Sequence, residues 1–347
     1  DAQEGQKFDA QKQEALETVF SFVPALVLKS ALLLEIPDII ARHGGNASLS
    51  VHQIASCLPT DKPHLDYLSR ILRYLSTKGV FIQSQVADEL QYSLTDTAKL
   101  FFVKEKNPCS LVPVALMQTH EVLMARWNHL HESVLEGCNP FEKAHGKNLY
   151  ACCKDDPYLN IIVNDRMTSN TLTKIDQIVH FYDGFRELKS IVDVGGGKGT
   201  ALGGIVKAYP HIHGINFDLP HVIATAPLIP GIEHVGGSMF DSIPSANAVF
   251  IKNVLVDWDD ESCMKLLQNC HKALPENGKV IIVEETTADP MEQSELLNVI
   301  MIARVNALRM RSEQELRWLL QSSSFSILKI VRLRSMMIIE ATKLNAM

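Results

Sequence analysis

The chain has 347 residues, with 33 Lys and Arg against 40 Asp and Glu and a formal charge of −7. That acidic balance argues against nonspecific nucleic-acid binding, which needs a cationic surface. At 46% hydrophobic and 21% charged, the composition excludes a disordered or fibrous chain, and the length allows one large domain or two modest ones.

From residue 11 to 42, apolar side chains recur at helical spacing (Ala15, Val19, Phe22, Val23, Leu26, Leu33, Ile36, Ile39), which predicts two or more helices. Lys29 and Glu35 break the most apolar stretch, 25–40, so no membrane span is expected. No basic head with an apolar run precedes it, although a chain opening at Asp1 reads as one that has lost its initiator end. Ser48 is placed as an N-cap ahead of Val51 and Ile54, and LDYLSRILRYL (65–75) is a further amphipathic helix. Between Gly79 and Leu100 the period shortens to VFIQSQV, a polar turn at Asp88–Glu89, and LQYSL. A helix followed by a small hairpin is a winged-helix-like module. Many such modules bind DNA, but the acidic context and the long flanking apolar helices favour dimerisation.

Residues 111–181 read as mostly helix and carry Met117, Met124, Trp127, Leu130 and Met167, a spacing that suits a core as well as a ligand pocket. After Phe181 the texture changes to alternating strands and helices. The predicted strands are 190–195 (SIVDVG), 214–219 (GINFDL), 248–256 (AVFIKNVLV) and 279–285 (KVIIVEE), then ILKIVRL and MMIIEAT as a terminal antiparallel hairpin. Helical patterns at 201–208 and 263–273 fall between them, the signature of a doubly wound α/β domain with a mainly parallel sheet. Seven cysteines without metal-type pairs read as reduced thiols in a cytoplasmic protein with no metal site. Cys152 and Cys153 are neighbours, which rarely bridge.

The run Asp193-Val194-Gly195-Gly196-Gly197-Lys198-Gly199 follows a predicted strand and opens a predicted helix. Glycines there let the backbone turn sharply and approach a ligand closely. About 20 residues on, Asp218 ends the next strand, where a carboxylate can accept both hydroxyls of a ribose. No GK[ST] ending is present, so this is not a P-loop. Asp in the first strand, a glycine cluster and a second strand ending in Asp are closer to the S-adenosylmethionine fingerprint than to the NAD one. A glycine turn holding no ligand is the bland alternative.

LVLKSALLLEIPDII, LSRILRYL, IVDVGGGKGT, FDLPHVI, IEHVGGSMFDSIP, DWDDESCMKLLQNCHKALPENGKVIIVEE and RSEQEL run in order along nearly the whole chain. Through them the sequence resembles the plant small-molecule O-methyltransferases that act on caffeate, flavonoids and benzylisoquinoline alkaloids. The resemblance implies a mostly helical, winged-helix-like dimerisation domain (1–105) and a Rossmann-like S-adenosylmethionine domain (106–347) with substrate-pocket helices at about 110–180. It also implies a homodimer, a pocket lined partly by the partner, and metal-free methyl transfer to a phenolic oxygen. On the cofactor side, which takes S-adenosylmethionine or S-adenosylhomocysteine, it implies Gly195 and Gly197 in the loop and Asp218 on the ribose. Leu219 and Met239 fall at the adenine, Lys252 on the methionine carboxylate, and Trp258 is a further cofactor-binding residue. The family's Asp before that Met is Ser238 here, a hydroxyl without the charge.

The base is where the pattern fails. The family's LHDW is here Leu255-Val256-Asp257-Trp258, so Val256 stands at the histidine. Of the two glutamates that orient that histidine, one matches Glu284 and the other position is Met310, with Ala307-Leu308 replacing the usual Gly-Gly. A phenol with a pKa near 10 is a poor nucleophile until a base takes its proton, and neither valine nor methionine accepts one. Three readings follow. The protein methylates an acidic oxygen or a neutral amine, or uses a substitute base such as His120, His145 or Glu284. It has become a non-methylating cyclase or pericyclase with the sulfonium as an electrostatic cofactor. Or it is a silent subunit that pairs with an active relative. Methyl transfer to a small aromatic or alkaloid-like acceptor leads. The bland reading of His120 and His145 is surface or core. Asp257 directly follows Val256, and strand neighbours face opposite ways, which argues against Asp257. Met117, Gln118, Met167, Asn170 and Met301 are expected to line the substrate cavity with Trp127.

Overall fold

The structure, a computed structural model, describes residues 2–44, 47–102, 110–285, 299–300, 310–333 and 336–344. Its contacts gather into two units, Asp1–His120 and Glu121–Met347.

In the first unit, the apolar period from residue 11 to 42 becomes three helices, Ala2–Val19, Val23–Leu33 and Ile36–Arg42. Pro24 and Pro37 sit in the first turns of the second and third, where a missing N–H costs no helical bond. Ser50, rather than Ser48, caps helix Val51–Ala55. Its hydroxyl accepts from Gln53 N–H at 3.3 Å, and the Gln53 side chain returns to the Ser50 N–H at 2.8 Å. Ser48 donates instead to the Gln91 side chain. Helix Leu65–Thr77 turns Leu68, Leu72 and Leu75 into a core shared with Ile36, Ile39 and Phe81. Strands β1 (Leu49–Ser50), β2 (Phe81–Val86) and β3 (Glu89–Leu94) form an antiparallel sheet in the order β1–β3–β2, the expected hairpin with one more strand. Helix Val112–Gln118 packs Val112, Ala115 and Leu116 on this same core, within the unit that runs to His120.

The second unit opens with short helices at Glu121–Ala125, Leu130–Glu136, Pro140–His145, Leu149–Asp155, Pro157–Leu172 and Ile175–Phe181. Gly137 and Gly146, both left-handed at φ 68°, end two of them, and Pro140 and Pro157 begin two. A seven-stranded sheet follows, from β4 (Ser190–Val194), β5 (His213–Asp218), β6 (Ile232–Gly236), β7 (Ala248–Lys252), β8 (Lys279–Glu285), β9 (Phe325–Arg332) and β10 (Met336–Lys343). Its order is β6–β5–β4–β7–β8–β10–β9, with β4 to β8 parallel and the terminal hairpin antiparallel.

The central strands are continuous apolar runs because helices cover both faces. Val249, Ile251, Val280 and Ile282 pack against helices Asp260–Ala273 and Glu313–Ser322. Phe250, Ile281 and Val283 face helix Thr200–Ala208. Strand β6 escaped the sequence reading because Glu233 and His234 interrupt its short, half-buried run at the sheet edge. Strand β7 stops at Lys252, four residues short of expectation. Asn253 takes φ 54°, and Leu255–Asp257 then forms a 3₁₀ turn.

Candidate functional site

The parallel strands bring Val194, Asp218, Lys252 and Glu285 to one edge of the sheet, the edge where α/β sheets take their ligands. A cavity of about 630 Å³ opens there, walled by the glycine loop, the ends of β5 and β7, and helix Pro157–Leu172. The loop needs its glycines. Gly195 and Gly197 are left-handed at φ 71° and 58°, and a Cβ on Gly196 would fall 2.1 Å from the Asn216 side-chain oxygen. Asp218 locks the loop from below. One of its oxygens accepts Gly197 N–H at 2.8 Å and the other Leu219 N–H at 2.6 Å, and burial pushes its carboxyl up against those two bonds. Each oxygen keeps a second lone pair for a vicinal diol.

Asp193 is buried beside the loop, and its Oδ2 has no hydrogen-bond partner. Burial pushes this carboxyl up to about 7, opposed by Lys252. Burial and the nearby Lys174 pull the Lys252 ammonium down, and it donates to Thr171 Oγ1 at 3.2 Å. Burial alone would raise Glu285, but Lys174, Asn170 and Lys252 hold it at about 2. Asn170 and Asn253 both donate to Glu285, at 3.0 and 3.1 Å.

This donor set fits S-adenosylmethionine. Asp193 Oδ2 is an orphaned buried acceptor suited to an ammonium, Lys252 suits a carboxylate, and Asp218 suits a ribose. Leu219, Ser238, Met239 and Trp258 line the same cavity with apolar surface and one hydroxyl. Phe240 meets Trp258 edge-on at 4.7 Å, and Tyr150 stacks near Trp258 at 6.1 Å. Tyr150 and His221 are lining residues that the sequence reading did not single out. His221 Nε2 is buried without a partner beside Asp218, and burial lowers the imidazole pKa.

The turn Leu255–Asp257 is pinned from two sides. Its Leu255 N–H donates to Glu284 at 2.9 Å. Arg311 donates to the Leu255 carbonyl and, at 2.7 Å, to that of Trp258, and pairs with Asp260 at 2.8 Å. Burial first, then the charge of Asp257, push Glu284 up to about 8. Strand alternation separates the two glutamates: Glu285 meets Lys174 and Asn253, while Glu284 lies under the turn. Because residues 255–257 form a turn, strand alternation does not govern Asp257. It lines the cavity and accepts a 2.7 Å hydrogen bond from the Tyr150 hydroxyl.

The cavity therefore gathers Gly195, Gly197, Asp218, Leu219, Ser238, Met239, Lys252, Trp258, Met167 and Asn170. Val256, Glu284, Met310 and Trp127 are not among its lining residues. Trp127 stands instead under the Arg126 guanidinium, 5.1 Å from its ring. His145 is not among the lining residues either: its Nε2 meets the Val122 carbonyl at 2.8 Å and its ring packs on Phe141. Met117, Gln118 and His120 belong to the first unit, where Met117 and His120 are buried. Met301 lies outside the described residues. Among the described residues, no group of three or more His, Cys, Asp or Glu converges as a metal-ligand set, and no single helix is long and apolar enough to cross a membrane.

Comparison with known proteins adds to this geometry. Residues 127–326 match the O-methyltransferase domain family, and residues 16–104 match the O-methyltransferase dimerisation domain. Caffeic acid 3-O-methyltransferase 3 of Populus kitakamiensis is 45% identical over 285 residues, covering 80% of this chain and 78% of its own. (R,S)-reticuline 7-O-methyltransferase of Papaver somniferum is 40% identical over 332 residues, covering 92% and 93%. Among solved structures, the mitomycin 7-O-methyltransferase MmcR superposes with a TM-score of 0.82 at 23% identity, over 98% of this chain and 99% of that one. Human N-acetylserotonin methyltransferase in complex with SAM gives 0.81 at 18% identity, over 96% and 97%. At those identities the two structures establish the shared fold.

Proposed function

Because this chain belongs to the O-methyltransferase family, we propose that it transfers the methyl group of S-adenosylmethionine to a small aromatic or alkaloid-like acceptor, and does so without an imidazole at the 255–257 turn. The observation that carries this reading is the pairing in one cavity of an intact ammonium, carboxylate and ribose set (Asp193, Lys252, Asp218) with Asp257, from a turn where Val256 supplies no imidazole.

When bound, the cofactor supplies an electrophilic methyl on a sulfonium. The chain's own residues do the rest. Asp193 and Lys252 would hold the cofactor's ammonium and carboxylate and Asp218 its ribose, and an acceptor beside Asp257 and Asn170 would be oriented for transfer. Trp258, Phe240, Met239 and Leu219 exclude water, which strengthens the charge interactions inside. Arg311 and Glu284 keep the turn rigid, so Glu284 acts as a positioning residue through the backbone of Leu255.

Exposed Val19, Phe20 and Phe22 in the first unit, together with the dimerisation-domain match, support a homodimer, with a related methyltransferase as an alternative partner. Six free cysteines among the described residues support a cytoplasmic setting. The test is incubation of the purified protein with S-adenosylmethionine and phenolic or alkaloid acceptors, scored by mass. A product heavier by one methyl in place of one hydrogen supports transfer. An isomer of unchanged mass overturns it in favour of a cyclase, and no product from the purified protein alone points to a silent subunit.

A further inference from the structure

We propose that Asp257, oriented by the hydroxyl of Tyr150, takes the acceptor's proton in this protein in place of the imidazole that Val256 removes. The proposal rests on the methyl-transfer reading above and names the group that makes it work.

The geometry comes from three elements. Helix Leu149–Asp155 brings Tyr150 across the cavity, and its hydroxyl donates to Asp257 Oδ2 at 2.7 Å. The 3₁₀ turn carries Asp257 beside Val254 and Trp258 in the cavity wall. Beneath it, Glu284 from β8 and Arg311 from the approach to helix Glu313–Ser322 hold the turn by its Leu255 N–H and by the Leu255 and Trp258 carbonyls. A carboxylate fixed in this way has its direction set before any acceptor arrives.

The charged neighbours agree with that assignment. Burial, then the charge of Asp257, push the Tyr150 hydroxyl well above its ordinary range, so Tyr150 remains a donor throughout the working pH range. Asp218 bears on Tyr150 in the same direction. Burial, then the charge of Asp257, raise the Glu284 carboxyl to about 8, so the group bonded under the turn holds its proton more tightly than an ordinary carboxyl. The two carboxyls have different settings: Glu284 is bonded to the turn's backbone, and Asp257 faces the cavity.

The step balances as follows. An acceptor hydroxyl oxygen forms its bond to the methyl carbon while the carbon–sulfur bond breaks with its electron pair going to sulfur. The hydroxyl proton passes to an Asp257 carboxylate oxygen and leaves to water when product departs. No oxidant, reductant or metal enters.

The test uses the full-length protein and the variants Asp257→Asn and Tyr150→Phe, with caffeic acid as methyl acceptor and nitrocatechol as an optical probe bound with S-adenosylhomocysteine. The amide should lower kcat about 10²-fold or more at neutral pH. Its activity should recover as pH rises toward the acceptor's own ionisation, and Tyr150→Phe should lose less. Independently of turnover, wild type should hold bound nitrocatechol in its neutral form, because a carboxylate opposes a phenolate beside it, whereas Asp257→Asn should show the phenolate band at lower pH. Equal bound spectra, no nitrocatechol binding by wild type, or an Asp257→Asn variant as active as wild type overturns the proposal. A melting temperature of Asp257→Asn that rises with S-adenosylhomocysteine as in wild type verifies that the variant is folded and loaded. If wild type itself fails to respond to S-adenosylhomocysteine, the methyl-transfer reading fails first, a result distinct from these.

Discussion

Replacing Glu284 with glutamine should remove one large source of the pH dependence of stability. Glu284 is buried, accepts the Leu255 N–H at 2.9 Å, and has its carboxyl raised from 4.5 to about 8, chiefly by burial and then by Asp257. A raised carboxyl binds its proton more tightly in the folded chain than in the unfolded one. Its contribution is therefore fully present below pH 4.5 and is lost as pH rises toward 8. Each pH unit in that window is worth about 1.4 kcal/mol, so between pH 5 and pH 8 wild type should lose about 3.5 kcal/mol through this group. Glutamine preserves the acceptor for Leu255 N–H and carries no proton to lose. Urea unfolding of both proteins across pH 5–8, without added ligand, reads the difference directly. The gap between variant and wild type should widen by about 3.5 kcal/mol from pH 5 to pH 8. Parallel stability curves would refute the reasoning and place an ionised Glu284 under the turn.

Two further outcomes follow from the same geometry. Val256→His combined with Met310→Glu should raise activity toward ordinary phenols, measured as kcat/KM on caffeic acid, and no gain would count against base loss as the distinctive feature of this chain. Gly196→Ala should cost about 1–3 kcal/mol, because its Cβ would meet the Asn216 side chain at 2.1 Å and Asp193 at 2.9 Å. Thermal melts with and without S-adenosylhomocysteine should show both a lower midpoint and a diminished ligand response, and an unaltered response would mean the loop does not need that close approach.

Much of the fold was legible in the chain because helices bury both sheet faces, which turns β4, β7 and β8 into apolar runs that periodicity finds. The same signal over-extended β7. Val254-Leu255-Val256 is as apolar as a strand, and nothing in the residue types announces that Asn253 adopts φ 54° and starts a turn. That single backbone angle changed the reading of the site, since alternation along a strand had argued against Asp257. The glycine loop and Asp218 were visible from spacing, whereas Tyr150 was not, because it reaches Asp257 across 107 residues of sequence. His145 illustrates the converse. An imidazole invites a chemical role, and only the Val122 carbonyl and the Phe141 ring show that it is held by structure.

The most direct measurement is the pH dependence of kcat/KM for the purified protein on a phenolic acceptor. With no imidazole at the turn, the profile should run level through the ordinary histidine range near 6.5, falling only on the acid side where a carboxylate takes its proton. A clear limb near 6.5 that disappears on replacing His221 or His120 would contradict the account and put an imidazole back at the reacting oxygen.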